Sequence, residues 1–324
     1  MPLRIALCGA GSAALRAHLP ALARAEEAGR TQLAGVVDPE QRHRDQVAER
    51  CPGARGFGDI DDMLETVRPD LLVIASPPST HLGAVAAAME RGIDVLCEKP
   101  LGVERGDAEA LADLCRRHPE ALLAPVHQYR FASDWDAAFA APLRRAARAG
   151  QALTLRVEVE RPGTDPLSSG GWRAAGLREG GILGDHAVHY LALAWTIDPG
   201  LRVTGATLAG EPGRESATVD VALGAAGRAT ISVTYDGAAR RNLVEATIPE
   251  SDYHVSWVGE TITLGDADPR PTASLADRQT VNDLYTAMYD ELLGRRHDQV
   301  WRARRCAETV TVAAALDSAL SAVR

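Results

Sequence analysis

Short apolar runs and helical patterns alternate through the first 125 residues of the chain. Residues 3–8, 33–37, 71–75 and 93–97 are almost uninterruptedly apolar, as expected of strands buried on both faces of a parallel sheet. The segments between them, 12–27, 40–50, 59–67 and 81–91, carry helical character. A further helix over 104–117 leads to a sixth short strand at 121–125. Alternation of this kind implies βαβ units with right-handed crossovers, hence a doubly wound parallel sheet.

The pattern changes after His127. A helix is expected over 134–148, then an extended stretch over 153–160 and a glycine-rich segment from Gly163 to Gly184. Between 203 and 264, apolar–polar alternation recurs at 219–223, 229–235, 242–248 and 253–258, punctuated by Gly, Pro and Asp turns. Such a meander predicts a large open, mostly antiparallel sheet with one face packed on helices. Helices over 281–293 and 299–323 close the chain. The expected fold class is therefore α/β over residues 1–125 and α+β over residues 126–324.

Composition narrows the possible partners. Apolar residues make up 46% and charged residues 24% of 324 residues, an ordinary globular balance with enough chain for two cores. Basic residues number 35 against 44 acidic, a net charge of −9, and aromatics are only 4%. That excludes the basic face and the stacking platforms of a nucleic-acid binder. Five cysteines, widely spread and without a CxxC pair, argue against a disulfide framework or a structural zinc site and suit a reducing compartment. Cys8 and Cys97 fall at the ends of buried strands, where a thiol packs as a small apolar group. Arg4 and the apolar stretch behind it resemble a short signal peptide, but Gly9 and Gly11 interrupt the stretch and strand–turn–helix fits better. No apolar run approaches the roughly 20 residues that span a bilayer. A cytoplasmic protein with no membrane partner is expected.

Gly9-Ala10-Gly11-Ser12-Ala13-Ala14 has the form GxGxxA, directly after an apolar strand and at a helix start. Gly9 permits the tight turn, Gly11 lets the backbone approach a pyrophosphate, and Ala14 allows close helix–strand contact. Ser12 lies at the helix amino end, whose unpaired N–H groups suit phosphate charge. Asp38 ends the second strand, where an acid accepts from the adenosine ribose and repels a 2′-phosphate. A Rossmann domain binding NAD in preference to NADP is the expectation, softened by the nearby Arg42 and His43.

Three further segments extend the pattern: Ser76-Pro77-Pro78-Ser79-Thr80-His81 after the fourth strand, Glu98-Lys99-Pro100 after the fifth, and Gly180-Gly181-Ile182-Leu183-Gly184-Asp185-His186-Ala187-Val188-His189 in the second half. With the glycine loop and His127-Gln128-Tyr129-Arg130-Phe131, the chain resembles, over essentially its whole length, the glucose-fructose oxidoreductase, inositol dehydrogenase and rhizopine catabolism family (Gfo/Idh/MocA). The resemblance implies a nicotinamide-dependent oxidoreductase acting on a secondary alcohol or ketone of a sugar, cyclitol or sugar derivative. It implies that Ser76, Pro77, His81, Glu98 and Lys99 border the cofactor. It also implies that Lys99 and His189 stand at the reacting carbon, His189 accepting the proton and Asp185 aiding its orientation.

Chemistry supports such a set. Alcohol oxidation needs a hydride acceptor and a base beside the reacting carbon. Lys99 follows a parallel strand at its carboxyl end, where such sheets place ligands, and serves as a base if desolvated or as a charged donor to the substrate oxygen. Asp185 and His189, four residues apart, are expected on one face of a helix. Tyr129, Arg130, Trp172, Arg173, His186 and Tyr190 are candidate substrate contacts, each equally open to a structural role. Pro100 fixes the backbone after Lys99, and a cis bond is compatible with it.

The chain departs from the family pattern at Ala187, where Gly is usual, at Ala192, where Asp is frequent, and at Asp134-Trp135, where Pro is frequent. Two alternatives stay open: a family-type enzyme that cleaves glycosides through transient oxidation by tightly held NAD, and a non-catalytic nucleotide-binding sensor. A metal site from His127, Asp185, His186 and His189 is possible by residue type, but no spacing enforces it, and none is expected. An open sheet needs cover on its second face, which predicts a homodimer or homotetramer.

Overall fold

Buried apolar strand residues, among them Ile5, Leu7, Leu72, Val73 and Val95, mark the centre of a six-stranded parallel sheet. Its strands are β1 (Leu3–Cys8), β2 (Thr31–Val37), β3 (Arg55–Phe57), β4 (Leu71–Ile74), β5 (Asp94–Cys97) and β6 (Leu123–Pro125). They run in the order β3-β2-β1-β4-β5-β6, all pairs parallel. The order reverses between β1 and β4, so a crevice opens at the carboxyl ends of these two strands. The computed structural model describes residues 1–163, 171–275 and 277–324, and only the backbone of 171–174, 278 and 279.

Helices α1 (Leu19–Glu27), α2 (Gln41–Arg50), α3 (Ile60–Val67), α4 (His81–Met89) and α5 (Asp107–Arg117) fall where the sequence carries helical character. Strand β3, absent from the expected elements, is three residues long with only Phe57 buried, too short for any periodicity to show. The expected continuous helix 12–27 contains a π-helical turn, Ala14–His18, before α1. Such turns insert a residue into the ladder and re-aim the side chains around them.

The second sheet has eight strands: β7 (Leu153–Glu160), β8 (Arg202–Ala209), β9 (Ser216–Leu223), β10 (Gly227–Thr234), β11 (Arg241–Ile248), β12 (Tyr253–Val258), β13 (Thr261–Leu264) and β14 (Arg270–Pro271). Their order is β14-β13-β12-β11-β7-β10-β9-β8. All pairs are antiparallel except β7 with β10, so the sheet is mostly antiparallel as expected. On β7 the buried residues are Leu153, Leu155, Val157 and Val159. The outward face is polar: Thr154 meets Thr247 at 2.6 Å and Arg156 meets Glu245 at 2.9 Å. Helices α6 (Ala141–Arg148) and α7 (Val188–Ile197) cover the inner face, and α7 is buried almost all round, which is why it reads as continuously apolar.

The chain forms two units. One comprises Met1–Gly102, Glu109–Val126 and Asn282–Val310, the other Val103–Ala108, His127–Val281 and Thr311–Arg324. Helices α8 (Arg278–Arg295) and α9 (Gln299–Val323) therefore contribute Tyr285, Tyr289 and Trp301 to the core of the first unit. One expectation needs correction. Cys115 and Cys306 form a disulfide, and their separation of 191 residues is beyond what spacing can reveal. Helix α9 is long and apolar enough to cross a membrane by length and composition alone, but charged residues interrupt it and Trp301, Val312, Leu316 and Leu320 are buried within the fold.

Candidate active site

The glycine loop sits at the carboxyl end of β1. Gly9 has φ +89°, and a Cβ there would lie 2.5 Å from the backbone nitrogen of Ser76, so both conformation and space require glycine. Gly11 faces open space with nothing within 4 Å of an added Cβ, and Ala14 is fully buried beneath it. Asp38 is buried at the end of β2. Its Oδ2 accepts from the Ala10 N–H at 2.9 Å, and its Oδ1 accepts from the Glu40 N–H at 2.9 Å and faces His43 Nδ1 at 3.1 Å. A cavity of about 590 Å³ lies in front of the loop, lined by Gly11, Ser12, Arg16, His43 and Arg50 among others. A cradle without room for Cβ, an open approach at Gly11 and an acid at the end of β2 fit a dinucleotide.

The loop after β4 and the loop after β5 are tied together. Ser76 Oγ and Thr80 Oγ1 are 2.7 Å apart. The buried His81 places Nε2 2.9 Å from the Ser76 carbonyl oxygen and Nδ1 2.8 Å from that of Pro100. Pro77 immediately precedes the short 3₁₀ turn Pro78–Thr80. The Lys99–Pro100 bond is cis, and Lys99 is half-buried.

Glu98 is buried in a polar cluster. Its Oε1 accepts from the Tyr285 hydroxyl at 2.6 Å and from His18 Nε2 at 3.1 Å, and its Oε2 accepts from the Lys99 N–H at 3.2 Å. His18 Nδ1 lies 2.8 Å from the Tyr289 hydroxyl. Burial would raise the Glu98 pKa, but His18, Lys99 and Tyr285 together hold it below the ordinary carboxylate value. The neighbouring Cys97 thiol is pushed well up by burial, then by the Glu98 charge, and packs as an inert apolar group.

In the second unit, Asp185 and His186 lie on a π-helical turn, Leu183–Ala187, and His189 in the first turn of α7. The π turn replaces the first turn of the ordinary helix expected from near Leu183. Asp185 is buried, accepts from the Tyr235 hydroxyl at 2.7 Å and lies 3.6 Å from His186 Nε2. His189 is buried and stacks on Tyr129, with ring centroids 4.3 Å apart at 18°. Tyr129 meets Tyr190 edge-on at 5.9 Å, and Tyr190 accepts from Asn242 Nδ2 at 2.8 Å. Burial raises the pKa of both tyrosines, which keeps them protonated donors. Arg130 lies over the Phe131 ring at 4.2 Å. Trp172 and Arg173 fall on the 3₁₀ segment Gly171–Glu179, and their side chains lie outside the described residues. Among the described residues, no group of three or more His, Cys, Asp and Glu side chains could hold a metal ion.

Residues 3–124 match the model of the GFO_IDH_MocA oxidoreductase family, described as having an NAD-binding Rossmann fold. Over that span, the dinucleotide-binding part of the chain, it is similar to the Gfo/Idh/MocA family. It is similar to D-glucoside 3-dehydrogenase of Escherichia coli, 31% identical over 41% of this chain and 37% of that protein. It is also similar to the rhizopine catabolism protein MocA of Rhizobium meliloti, 35% identical over 36% and 34%. The chain thus spans about a third of the length of these two relatives. The fold extends further. An oxidoreductase of Thermotoga maritima covers 99% of this chain and 97% of its own with TM-score 0.77 at 16% identity. An oxidoreductase of Agrobacterium radiobacter, solved with NAD+, L-tartaric acid and magnesium, covers 99% and 96% with TM-score 0.80 at 17% identity.

A residue count adds to the geometry. Lys99 is the only lysine of the chain; the other 34 basic residues are arginines. Arginine also carries a positive charge, but it cannot shed a proton in a protein, whereas lysine can. The lone lysine stands at the end of β5, immediately after the buried Glu98. His18, Tyr285 and Tyr289 join the polar cluster around Glu98 in the first unit, and Tyr235 joins Asp185 in the second, only through the fold. Tyr285 and Tyr289 share a face of α8, four residues apart, a spacing indistinguishable in sequence from ordinary core packing.

Proposed function

We propose that this protein is an NAD-dependent dehydrogenase that oxidises a secondary alcohol of a sugar, cyclitol or sugar derivative, or reduces the corresponding ketone. The observation that carries this reading is the retention of a single lysine, Lys99, on the loop after β5, in a unit whose glycine loop and Asp38 fit a dinucleotide. The relatives named as a glucoside dehydrogenase and a rhizopine catabolism protein support the substrate class. Asp38 supports NAD over NADP, because its buried carboxylate opposes a 2′-phosphate.

A bound nicotinamide dinucleotide supplies the hydride acceptor for such an oxidation. Carbon loses a hydride and oxygen a proton, giving a ketone, reduced cofactor and one released proton. In this assignment Lys99 donates a charged hydrogen bond to the substrate oxygen, and His189 takes the hydroxyl proton. Tyr129 stacked on His189 and Tyr235 bonded to Asp185 hold the second-unit groups. Arg130, Trp172, Arg173 and His186 are proposed substrate contacts. The protein is proposed to act in the cytoplasm as a homo-oligomer.

The test is NADH formation at alkaline pH against sugars, inositols, sugar phosphates and nucleotide sugars. Wild type is expected to turn over at least one class, with losses of about 100-fold or more in Lys99→Ala, Lys99→Arg and His189→Ala, the scale of a positioned proton-handling group. Turnover unchanged in Lys99→Arg would remove the lysine from the chemistry. Cofactor binding without turnover on the whole panel would favour the glycoside-cleaving or sensor readings.

A further inference from the structure

Arg161 immediately follows β7 in the second unit and is only 2% exposed. One terminal nitrogen, Nη1, donates to the carbonyl oxygens of Glu160 at 2.7 Å and Arg241 at 3.2 Å and to Asn242 Oδ1 at 2.8 Å. The buried Nε–H has no acceptor among the described residues. An arginine can only donate, so the oxygen of the Asn242 amide must face it, and the amide NH2 donates to the Tyr190 hydroxyl at 2.8 Å. Tyr190 is 1% exposed. Its oxygen accepts from Asn242, while its own O–H meets no acceptor among the described residues. Two buried donors are therefore in excess in a cluster that carries a positive charge.

Burying a guanidinium is costly unless an anion pairs with it. No carboxylate of the described residues forms an ion pair with Arg161. Asp185, the acid that also acts on Tyr129, is engaged instead by the Tyr235 hydroxyl at 2.7 Å and lies 3.6 Å from His186 Nε2. A neutral hydroxyl at the two donors would leave the charge uncompensated. A carboxylate or phosphoryl group brings both the charge and oxygens that only accept. The cluster adjoins the groups assigned to the substrate: Tyr190 meets Tyr129 edge-on at 5.9 Å, and Tyr129 stacks on His189 at 4.3 Å. Arg161 is as enclosed as Asp185 at 2% and His189 at 4%. Its charge also opposes the rise that burial gives the pKa of both tyrosines.

We propose that Arg161, aided by Tyr190, is the specificity-determining residue of the substrate site: its guanidinium takes a carboxylate or phosphoryl oxygen, so the substrate is an acidic sugar or cyclitol derivative. The inference rests on the dehydrogenase reading for the place of the reacting carbon, but the anion subsite can be read from binding alone. Tyr129 touches both His189 and Tyr190, so the charged group is a substituent of the substrate other than the carbon that is oxidised. Arg161 takes no part in the transfer of hydride or proton. It selects and orients the molecule that undergoes it.

The test is calorimetric titration of the full-length protein, in the presence of NAD, with matched sets of neutral and acidic sugars: D-glucose, D-glucuronate and D-glucose 6-phosphate, and the corresponding galactose and mannose sets. In at least one set an acidic member is expected to bind at least about tenfold more tightly than the neutral one, the scale of a hydrogen bond to a charged group. Preference for uronates identifies a carboxylate, and preference for phosphates a phosphoryl group. In Arg161→Gln the acidic and neutral members should bind within about twofold of each other, whereas Tyr190→Phe should lower the preference about threefold. Arg161→Lys, which keeps the charge, should retain part of it. Each variant is compared only with a cooperative melting transition. Equal binding of acidic and neutral members, or no binding of any acidic member at millimolar concentration, overturns the proposal. So does a preference unmoved in Arg161→Gln, or in Tyr190→Phe should Arg161→Gln not fold. A failed alcohol panel leaves a measured preference standing, and turnover of neutral alcohols without any preference sinks only the Arg161 assignment.

Discussion

Single side chains here do work that no neighbour can take over. Arginine outnumbers lysine 34 to one, and the one lysine stands beside a buried glutamate. Glu98 also links stability to pH. Its pKa in the fold is below the ordinary 4.5, so its contribution is fully present above that value and is lost as pH falls through the folded-state value. Glu98→Gln should cost about 1–3 kcal/mol near pH 7, the scale of a broken buried charged network. The gap between wild type and variant in melting temperature should close as pH falls below about 4. A gap constant from pH 7 to pH 3 would mean that Glu98 is not ionised in the fold.

Loops at strand ends set the local geometry. The turn after β1 passes so close to the turn after β4 that a methyl group on Gly9 would press on the Ser76 backbone at 2.5 Å, at a φ of +89° that side chains rarely adopt. Gly9→Ala should therefore destabilise the first unit by about 1–3 kcal/mol and weaken NAD binding at least tenfold in a fluorescence titration. Gly11→Ala, with nothing within 4 Å of the added carbon, should melt like wild type and lose affinity alone. If both variants melt and bind alike, the cradle is misassigned. The π turns at Ala14–His18 and Leu183–Ala187 carry the same lesson. Each stands where a motif meets its helix, and each aims side chains that an ideal helix would place elsewhere.

Across the whole chain, the eight-stranded sheet leaves an outward face of Thr, Ser, Arg and Glu. Association across such a face would rest on hydrogen bonds and ion pairs, which salt screens, more than on apolar burial. Sedimentation at micromolar concentration should show a dimer or tetramer that shifts toward monomer in high salt. A monomer at low salt would remove this sheet as an interface.

The elements and the glycine loop are legible in the sequence because they rest on local rules. Buried parallel strands read as apolar runs, and GxGxxA after a strand needs small residues at fixed offsets. Lys99 is legible too, because residue counts require no geometry. What the sequence hides joins positions far apart in the chain: Glu98 with Tyr285 at 187 residues, His18 with Tyr289 at 271, Asp185 with Tyr235 at 50, and the parallel pairing of β7 with β10. Periodicity reports which face of an element is buried but not against what. Only the folded chain, by bringing α8 back to the first unit, shows that two apparent core tyrosines of a C-terminal helix are hydrogen-bond donors around the acid that precedes the lone lysine.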